Sequence, residues 1–274
     1  MTTRAIGMDT YSLQYRRDNN NKLIVPSFAS LTAHLDFVFV KSSEGNWMDP
    51  DFPTMWQALA APAPMRMMYH YQRSGVSWQQ QADNFLSMMP SDCMGLALDI
   101  EKINNVVDKT MMADSSRILN YLKAHTTKKV MFYSNQDMYM NYILPIMQAN
   151  WPGDTWYLDF PFWIASEPFW KPSRSPDNNP TLPKGMRADW KIIQWNDSGD
   201  TYPYSAYGSP DLDAFNGSAA DMMTWLGATA PAPQPAPAPT PAPTTGQTII
   251  SLNKDLAVTV LTSDPNTTVK VELQ

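Results

Sequence analysis

Seven short apolar runs recur through the first two hundred residues, and the segments between them are long enough for helices. The runs are AIGMDTY from Ala5, FVFVKSS from Phe37, MRMMYHY from Met65, GLALDIE from Gly95, KVMFYSN from Lys129, FWIAS from Phe162 and WKIIQWN from Trp190. Between them, Asp83 to Met89, Ala113 to His125 and Gln136 to Met147 carry apolar residues at helical spacing. Strands alternating with helices are the pattern of an α/β chain with a largely parallel sheet. Seven or eight such strands predict a closed or nearly closed β/α barrel, TIM-like and possibly irregular. In that architecture chemistry sits on the rim where the strands end.

Composition narrows the function classes. The 274 residues are 43% hydrophobic and include ten Trp, so the chain has the material for a sizeable core and is not a disordered or fibrous one. A net charge of −6 with no basic run argues against nucleic acid as a partner, because affinity for a phosphate backbone comes from clustered Lys and Arg. Cys93 stands alone, and His34, His70 and His125 fit no zinc spacing, so neither a metal nor a cofactor is expected. No stretch approaches the ~18 uncharged apolar residues of a membrane span. Met1 to Arg17 reaches Asp9 before any apolar run that would serve as a signal peptide, which predicts a soluble chain made without a cleaved export signal.

Proline divides the chain. From Ala228 to Gly246 it reads ATAPAPQPAPAPTPAPTTG, with proline at every second position from Pro231 to Pro243. Alternating proline fixes φ and removes amide donors, so this stretch is expected to be a semi-rigid polyproline-II spacer. After it, three short β-branched runs separated by Asn-Lys-Asp and Asp-Pro-Asn predict two or three antiparallel strands. The expected organisation is a catalytic domain over 1–227, a linker over 228–246 and a small all-β tail over 247–274. A unit of that size buries too little surface to be stable alone. The tail is therefore expected to form a homo-oligomer or to dock on a partner such as a virion component, the plainer alternative being a weakly ordered tail.

Polar residues collect where the runs close: Asp9, Lys41 with Glu44, His70 with Tyr71, Asp99 with Glu101, Tyr133, and Gln194 with Trp195. Side chains two apart on a strand share a face, so Asp99 and Glu101 project together. Two carboxylates in a partly desolvated barrel mouth repel, and one then keeps its proton near neutral pH and can act as an acid. An ordinary salt-bridged pair at a strand end is the competing reading of the same spacing.

These residues, taken in order, resemble glycoside hydrolase family 25, the Chalaropsis-type lysozymes that include many phage endolysins. The likeness covers most of Ala5 to Gly217 and rests on eight ordered segments. They are Gly7-Met8-Asp9-Thr10-Tyr11 with Gln14, FVFVKSSEG from Phe37, YHYQR from Tyr69, LALDIE with Asp99 and Glu101, FYSN from Phe132, WIAS from Trp163, IIQW ending at Trp195, and DLDAFNGS from Asp211. The resemblance implies a muramidase that cleaves the β-1,4 bond between N-acetylmuramic acid and N-acetylglucosamine of bacterial peptidoglycan. Glu101 matches the general acid, and Asp9, Asp99 and Asp211 match the acidic cluster around it. A departing sugar oxygen needs a proton, and the oxocarbenium-like centre needs nearby negative charge or an internal acetamido nucleophile. Whether Asp99 acts directly or orients the substrate's acetamido group stays open.

Other assignments have plainer competitors. Asp211 is preferred over Asp213 because it lies six residues before Gly217, as in the family pattern. Tyr71, Tyr133, Trp163 and Gln194 are expected to line a sugar groove, although each is also acceptable in a barrel core. Lys41 and Glu44 are read as a rim pair rather than catalytic groups, and His70 as a satisfied structural histidine. Thr10-Tyr11-Ser12 departs from the family's commoner Asp-x-Ser wording, and the proline-rich Glu167 to Met186 is longer than the family pattern suggests, which predicts a loop over the rim. A chitinase would place acids where Met94 and Ala97 stand, and a magnesium nuclease would need a basic track. A wall-binding or virion structural protein that keeps the barrel as a scaffold is the alternative from another class. With no export signal, the expected setting is synthesis in a host cytoplasm and action on the cell wall, as a phage-released or virion-borne lysin.

Overall fold

The computed structural model describes residues 4–24, 28–31, 34–102, 107–165, 175–197, 210–228, 249–252 and 270–273. The chain divides into two compact units, Met1–Ala230 and Pro231–Gln274.

The first unit is a closed eight-stranded barrel. Its strands are β1 (Ile6–Thr10), β2 (Phe37–Glu44), β4 (Met65–Tyr71), β5 (Gly95–Asp99), β6 (Lys129–Asn135), β7 (Phe162–Ala165), β8 (Ile192–Asn196) and β9 (Asp211–Phe215), and β3 (Trp47–Met48) folds back on the end of β2 as a hairpin. Strands β1, β2 and β4 to β8 run parallel, and each coincides with one of the seven apolar runs, β2 running one residue past its own to Glu44. The barrel closes through β9, which is antiparallel to both β8 and β1. Antiparallel neighbours need no helical crossover, so one strand seals the sheet without completing an eighth β/α unit.

Both faces of these strands are apolar because both are covered. Val38, Val40, Met68, Leu96, Leu98, Phe132 and Ile164 belong to the outer core under the helices, whereas Phe37, Phe39, Met65, Met67, Met131, Ile192 and Phe215 belong to a second core that fills the barrel. Gly7 explains its own motif: a Cβ there would lie 2.2 Å from the Phe37 ring, which occupies the space a side chain would need.

The helices are α1 (Phe52–Ala58), α2 (Trp78–Ser87), α3 (Lys109–His125), α4 (Gln136–Met138), α5 (Leu144–Asn150), α6 (Trp156–Asp159) and α7 (Ala219–Trp225). Helices α2 and α3 begin earlier than apolar spacing suggests because caps start them: the Ser77 side chain accepts from the Gln80 amide, and that of Asp108 from the Met111 amide. The helix expected from Gln136 is present but widens into a π turn over Tyr139–Ile143. Pro145 has no amide to give the carbonyl four residues back, and a widened turn ahead of it accommodates that missing bond. Among the described residues no helix is long and apolar enough to cross a membrane.

The loop expected over the rim from Glu167 to Met186 lies partly outside the described residues. Residues 166–174 lie outside the described set, and the described remainder up to Met186 contributes nothing to the cavity at the strand ends. Hydrogen bonds tie the described remainder to the barrel. Arg4 donates to the carbonyls of Pro176 at 2.9 Å and Asn178 at 2.8 Å, and Gln136 donates to that of Thr181 at 2.9 Å. Just beyond, buried Arg187 donates to the carbonyls of Tyr157 and Phe160, with its guanidinium over the rings of Phe132 and Phe162.

In the second unit, β10 (Ile249–Leu252) pairs with β11 (Lys270–Leu273) in parallel, Ile249 opposite Lys270 and Leu252 opposite Leu273. This overturns the antiparallel expectation for these strands. A hairpin needs a turn of a few residues, whereas a parallel pair needs a connection of a dozen or more. Residues 253–269 supply that length. They carry the middle β-branched run and, like the expected polyproline spacer from residue 229 on, lie outside the described residues.

Candidate active site

A cavity of about 470 Å³ opens where the parallel strands end. Asp9 comes to it from β1, Tyr71 from β4, Asp99 from the last position of β5 and Glu101 from two residues beyond. Tyr133, Trp163 and Gln194 come from β6, β7 and β8. Asp211 is the first residue of β9, and it reaches the same end because β9 runs the other way, directly opposite Asp9. The structure therefore brings together all eight residues singled out in the sequence. Tyr11, Leu13, Lys41, Glu44, Tyr69 and Arg73 complete the wall.

The polar groups are ordered by one another. The Tyr133 hydroxyl donates to Gln194 Oε1 at 2.6 Å, and Gln194 Nε2 donates to Asp9 Oδ2 at 3.4 Å. Asn135 Nδ2 donates to Glu101 Oε1 at 3.1 Å, while Asn135 Oδ1 caps α4 by accepting from the Met138 amide. Asp99 Oδ1 is buried without a hydrogen-bond partner. Trp163 is only 2% exposed, stacked on Phe39 with ring centroids 4.2 Å apart, so it forms the cavity floor more than an open stacking wall.

Burial and crowding raise the carboxyls. Burial, followed by the charges of Asp211, Asp213, Asp99 and Glu101, lifts Asp9 well above the ordinary aspartate range. Asp99 is lifted well above it by burial and the Glu101 charge, against the pull of Lys41. Burial raises Glu101, with the hydrogen bond from Asn135 opposing the rise. Asp211 is pushed up to about 7 by burial and the charges of Asp197 and Glu101. A barrel mouth that withdraws several carboxyls from water thus holds protons that free carboxyls would lose, the condition for a general acid near neutral pH.

The remaining rim residues follow the plainer readings. Glu44 pairs with Lys41 and with Arg73, and the Lys41 and Arg73 cations also lie over the Tyr71 ring at 4.9 Å and 5.1 Å. His70 faces away from the cavity, fully buried, with Nδ1 2.8 Å from Ser43 Oγ and Nε2 3.2 Å from Gln81 Oε1. Burial brings its pKa down to about 4, so it is neutral and structural.

Asp213 sits two residues along β9 from Asp211, fully buried, and accepts from Trp163 Nε1 at 2.8 Å. The two aspartates share a face, as alternation requires, but only Asp211 lines the cavity. Tyr69 and Asn135 are among the contributors that the sequence reading did not single out. Tyr69 lies two residues before Tyr71, and the same period-2 rule would have found it. Asn135 reads as a helix cap, and nothing local reports its second contact to Glu101.

An α/β barrel whose strand ends gather desolvated carboxyls under aromatic and amide side chains has the architecture of a carboxylate-dependent glycosidase. The sequence profile of Glycosyl hydrolases family 25 matches residues 18–202, and the chain belongs to that family. The matched span holds Asp99 and Glu101 and stops short of Asp9 and Asp211. Among solved structures, a family 25 glycosyl hydrolase from Bacillus anthracis is 22% identical, with 80% of this chain and 92% of that one covered at a TM-score of 0.60. A lysozyme from Streptomyces coelicolor is 24% identical, covering 82% and 98% at 0.60. The catalytic domain of endolysin ply40 from bacteriophage P40 of Listeria monocytogenes is 17% identical, covering 83% and 98% at 0.59. At these identities the likeness is one of fold. No curated protein sequence matches the chain.

Proposed function

We propose that this glycosidase is an N-acetylmuramidase acting on peptidoglycan, with Glu101 as its general acid, and that it serves a phage as a lysin. The observation that carries the reading is the Asp99–Glu101 pair, both carboxyls raised by burial at the strand ends of a family 25 barrel.

Glu101 keeps its proton at the pH of the reaction and gives it to the glycosidic oxygen as the bond to the anomeric carbon breaks, the bonding pair leaving with that oxygen. Asn135 holds Oε1 of Glu101 and so sets the direction of the other oxygen. Positive charge growing on the ring faces Asp9, Asp99 and Asp211, and a carboxyl among them that has given up its proton stabilises that charge more than it stabilises the neutral substrate. Water completes the hydrolysis. Tyr71, Tyr133 and Gln194 meet the sugar, and Trp163 supports them from below.

A lysozyme and a phage endolysin share the fold, which supports a peptidoglycan substrate and a lytic role. On this reading the protein is made in a host cytoplasm and reaches the wall by phage release or on the virion. The segment from residue 247 then serves oligomerisation or attachment.

Mass spectrometry of the fragments released from purified peptidoglycan tests the bond: muramic acid at the new reducing end is expected, and glucosamine there would make the enzyme a glucosaminidase. Glu101→Gln should cut the rate about 10²–10⁴-fold with the fold intact. A rate within a fewfold of the parent would remove Glu101 from the mechanism.

A further inference from the structure

The opposite end of the barrel holds a second cavity, of about 440 Å³, between the start of β6, the turn ahead of β7 and the end of α7. Its charge is the reverse of the first. Lys123, Lys128 and Lys129 line it, with Asp159 as its one carboxylate. Among the described residues none of these lysines forms an ion pair. In a chain of net charge −6, three unpaired ammoniums around one hollow make a local positive field that the surface at large lacks.

Aromatic rings hold two of these cations in place. Lys129 Nζ lies 5.4 Å from the centroid of Trp225, and Lys123 Nζ lies 5.4 Å from that of Phe160. A cation resting on a ring face is positioned without being neutralised, so it can still attract an anion. Trp225 is braced from below by Phe215, centroids 5.4 Å apart, and with Pro161 and Leu226 it gives the cavity an apolar wall.

We infer that this cavity is a second ligand site, built for a phosphorylated sugar: the lysines take the phosphate, and the apolar wall of Pro161, Leu226 and the Trp225 edge takes the apolar face of the sugar. Lysine binds a phosphate as a compact point charge, and three ammoniums against the single Asp159 carboxylate leave an excess positive charge that a phosphate monoester, at about −1.5 to −2, matches better than a carboxylate does. The inference does not rest on the muramidase reading. It shares no residue with the carboxylate site, and that site repels a phosphate.

The test is an NMR titration of the full chain with N-acetylglucosamine 1-phosphate, beside inorganic phosphate as a second probe. The sugar phosphate should bind, and more tightly than phosphate alone. The triple variant Lys123→Gln, Lys128→Gln, Lys129→Gln should weaken it by about fivefold or more, since each exposed charge contributes modestly. Glu101→Gln should leave the titration unchanged. The triple variant should also hydrolyse peptidoglycan at the parent rate, which shows that it folds. No binding by the parent, equal binding by the triple variant, or equal affinity for inorganic phosphate would each overturn the assignment.

Discussion

The indole N–H of Trp163 donates to the carboxyl of Asp213 at 2.8 Å, in a layer of the barrel that solvent does not reach. The other Asp213 oxygen has no partner. Burial raises this carboxyl well above the ordinary range, the Trp163 hydrogen bond opposes the rise, and the Asp211 charge adds to it. Burial thus favours the protonated form of Asp213, and an amide of the same shape replaces that form closely. Asp213→Asn should keep its melting temperature within a few degrees of the parent, whereas Trp163→Phe strands a buried acceptor and should cost about 1–3 kcal/mol in urea denaturation. Collapse of the first variant with no effect in the second would reverse the account.

Asn135 sets both a helix start and the acidity of Glu101. Its amide stabilises the ionised form of Glu101, so removing that donor raises the Glu101 pKa further. Asn135→Ser keeps a capping oxygen for α4. The alkaline limb of kcat, which reports loss of the Glu101 proton, should move to higher pH in this variant. A limb that stays put, with kcat reduced evenly at all pH values, would show that Asn135 only places Glu101.

The carboxyl cluster makes stability fall as pH rises. Asp9, Asp99, Asp211 and Asp213 all have raised native pKa values, so the folded chain binds more protons than the unfolded one. For Asp211 the stabilisation is complete below the ordinary value of 3.8 and is lost as pH rises to about 7. Each such proton contributes a slope of up to about −1.4 kcal/mol per pH unit across its window. Urea midpoints measured from pH 4 to 8 should decline, and Asp211→Asn should flatten the decline. Stability that climbs through this range would mean the cluster is ionised in the native state.

The second unit contributes a two-stranded parallel pair, β10 with β11, and two strands are marginal without further partners. Truncation after Gly227 is expected to leave hydrolysis of soluble peptidoglycan fragments nearly unchanged and to lower the mass per particle seen by light scattering. Loss of activity, with monomers both before and after truncation, would place these residues in the catalytic unit's service.

Local patterning determined a great deal here. Continuous apolar runs closed by polar residues determined seven strands and the end at which Asp9, Asp99 and Glu101 emerge, because strand period and chain direction are properties of a few consecutive residues. The order of short motifs determined the family for the same reason. Tertiary structure decided what depends on which strand lies beside which. DLDAF became an antiparallel seal, and that put Asp211 at the mouth and Asp213 one layer below it, a difference of depth that a period of two cannot express. Gly7 could be matched to a motif from the sequence, but only the Phe37 ring at 2.2 Å says why no side chain fits there. The parallel pairing of β10 with β11 likewise escaped the sequence, since turn residues describe a reversal and not the strand the chain finally pairs with. The proton affinities of the carboxyl cluster and the basic cavity at the far end are collective in the same sense: each arises from side chains that are distant along the chain and share one desolvated space.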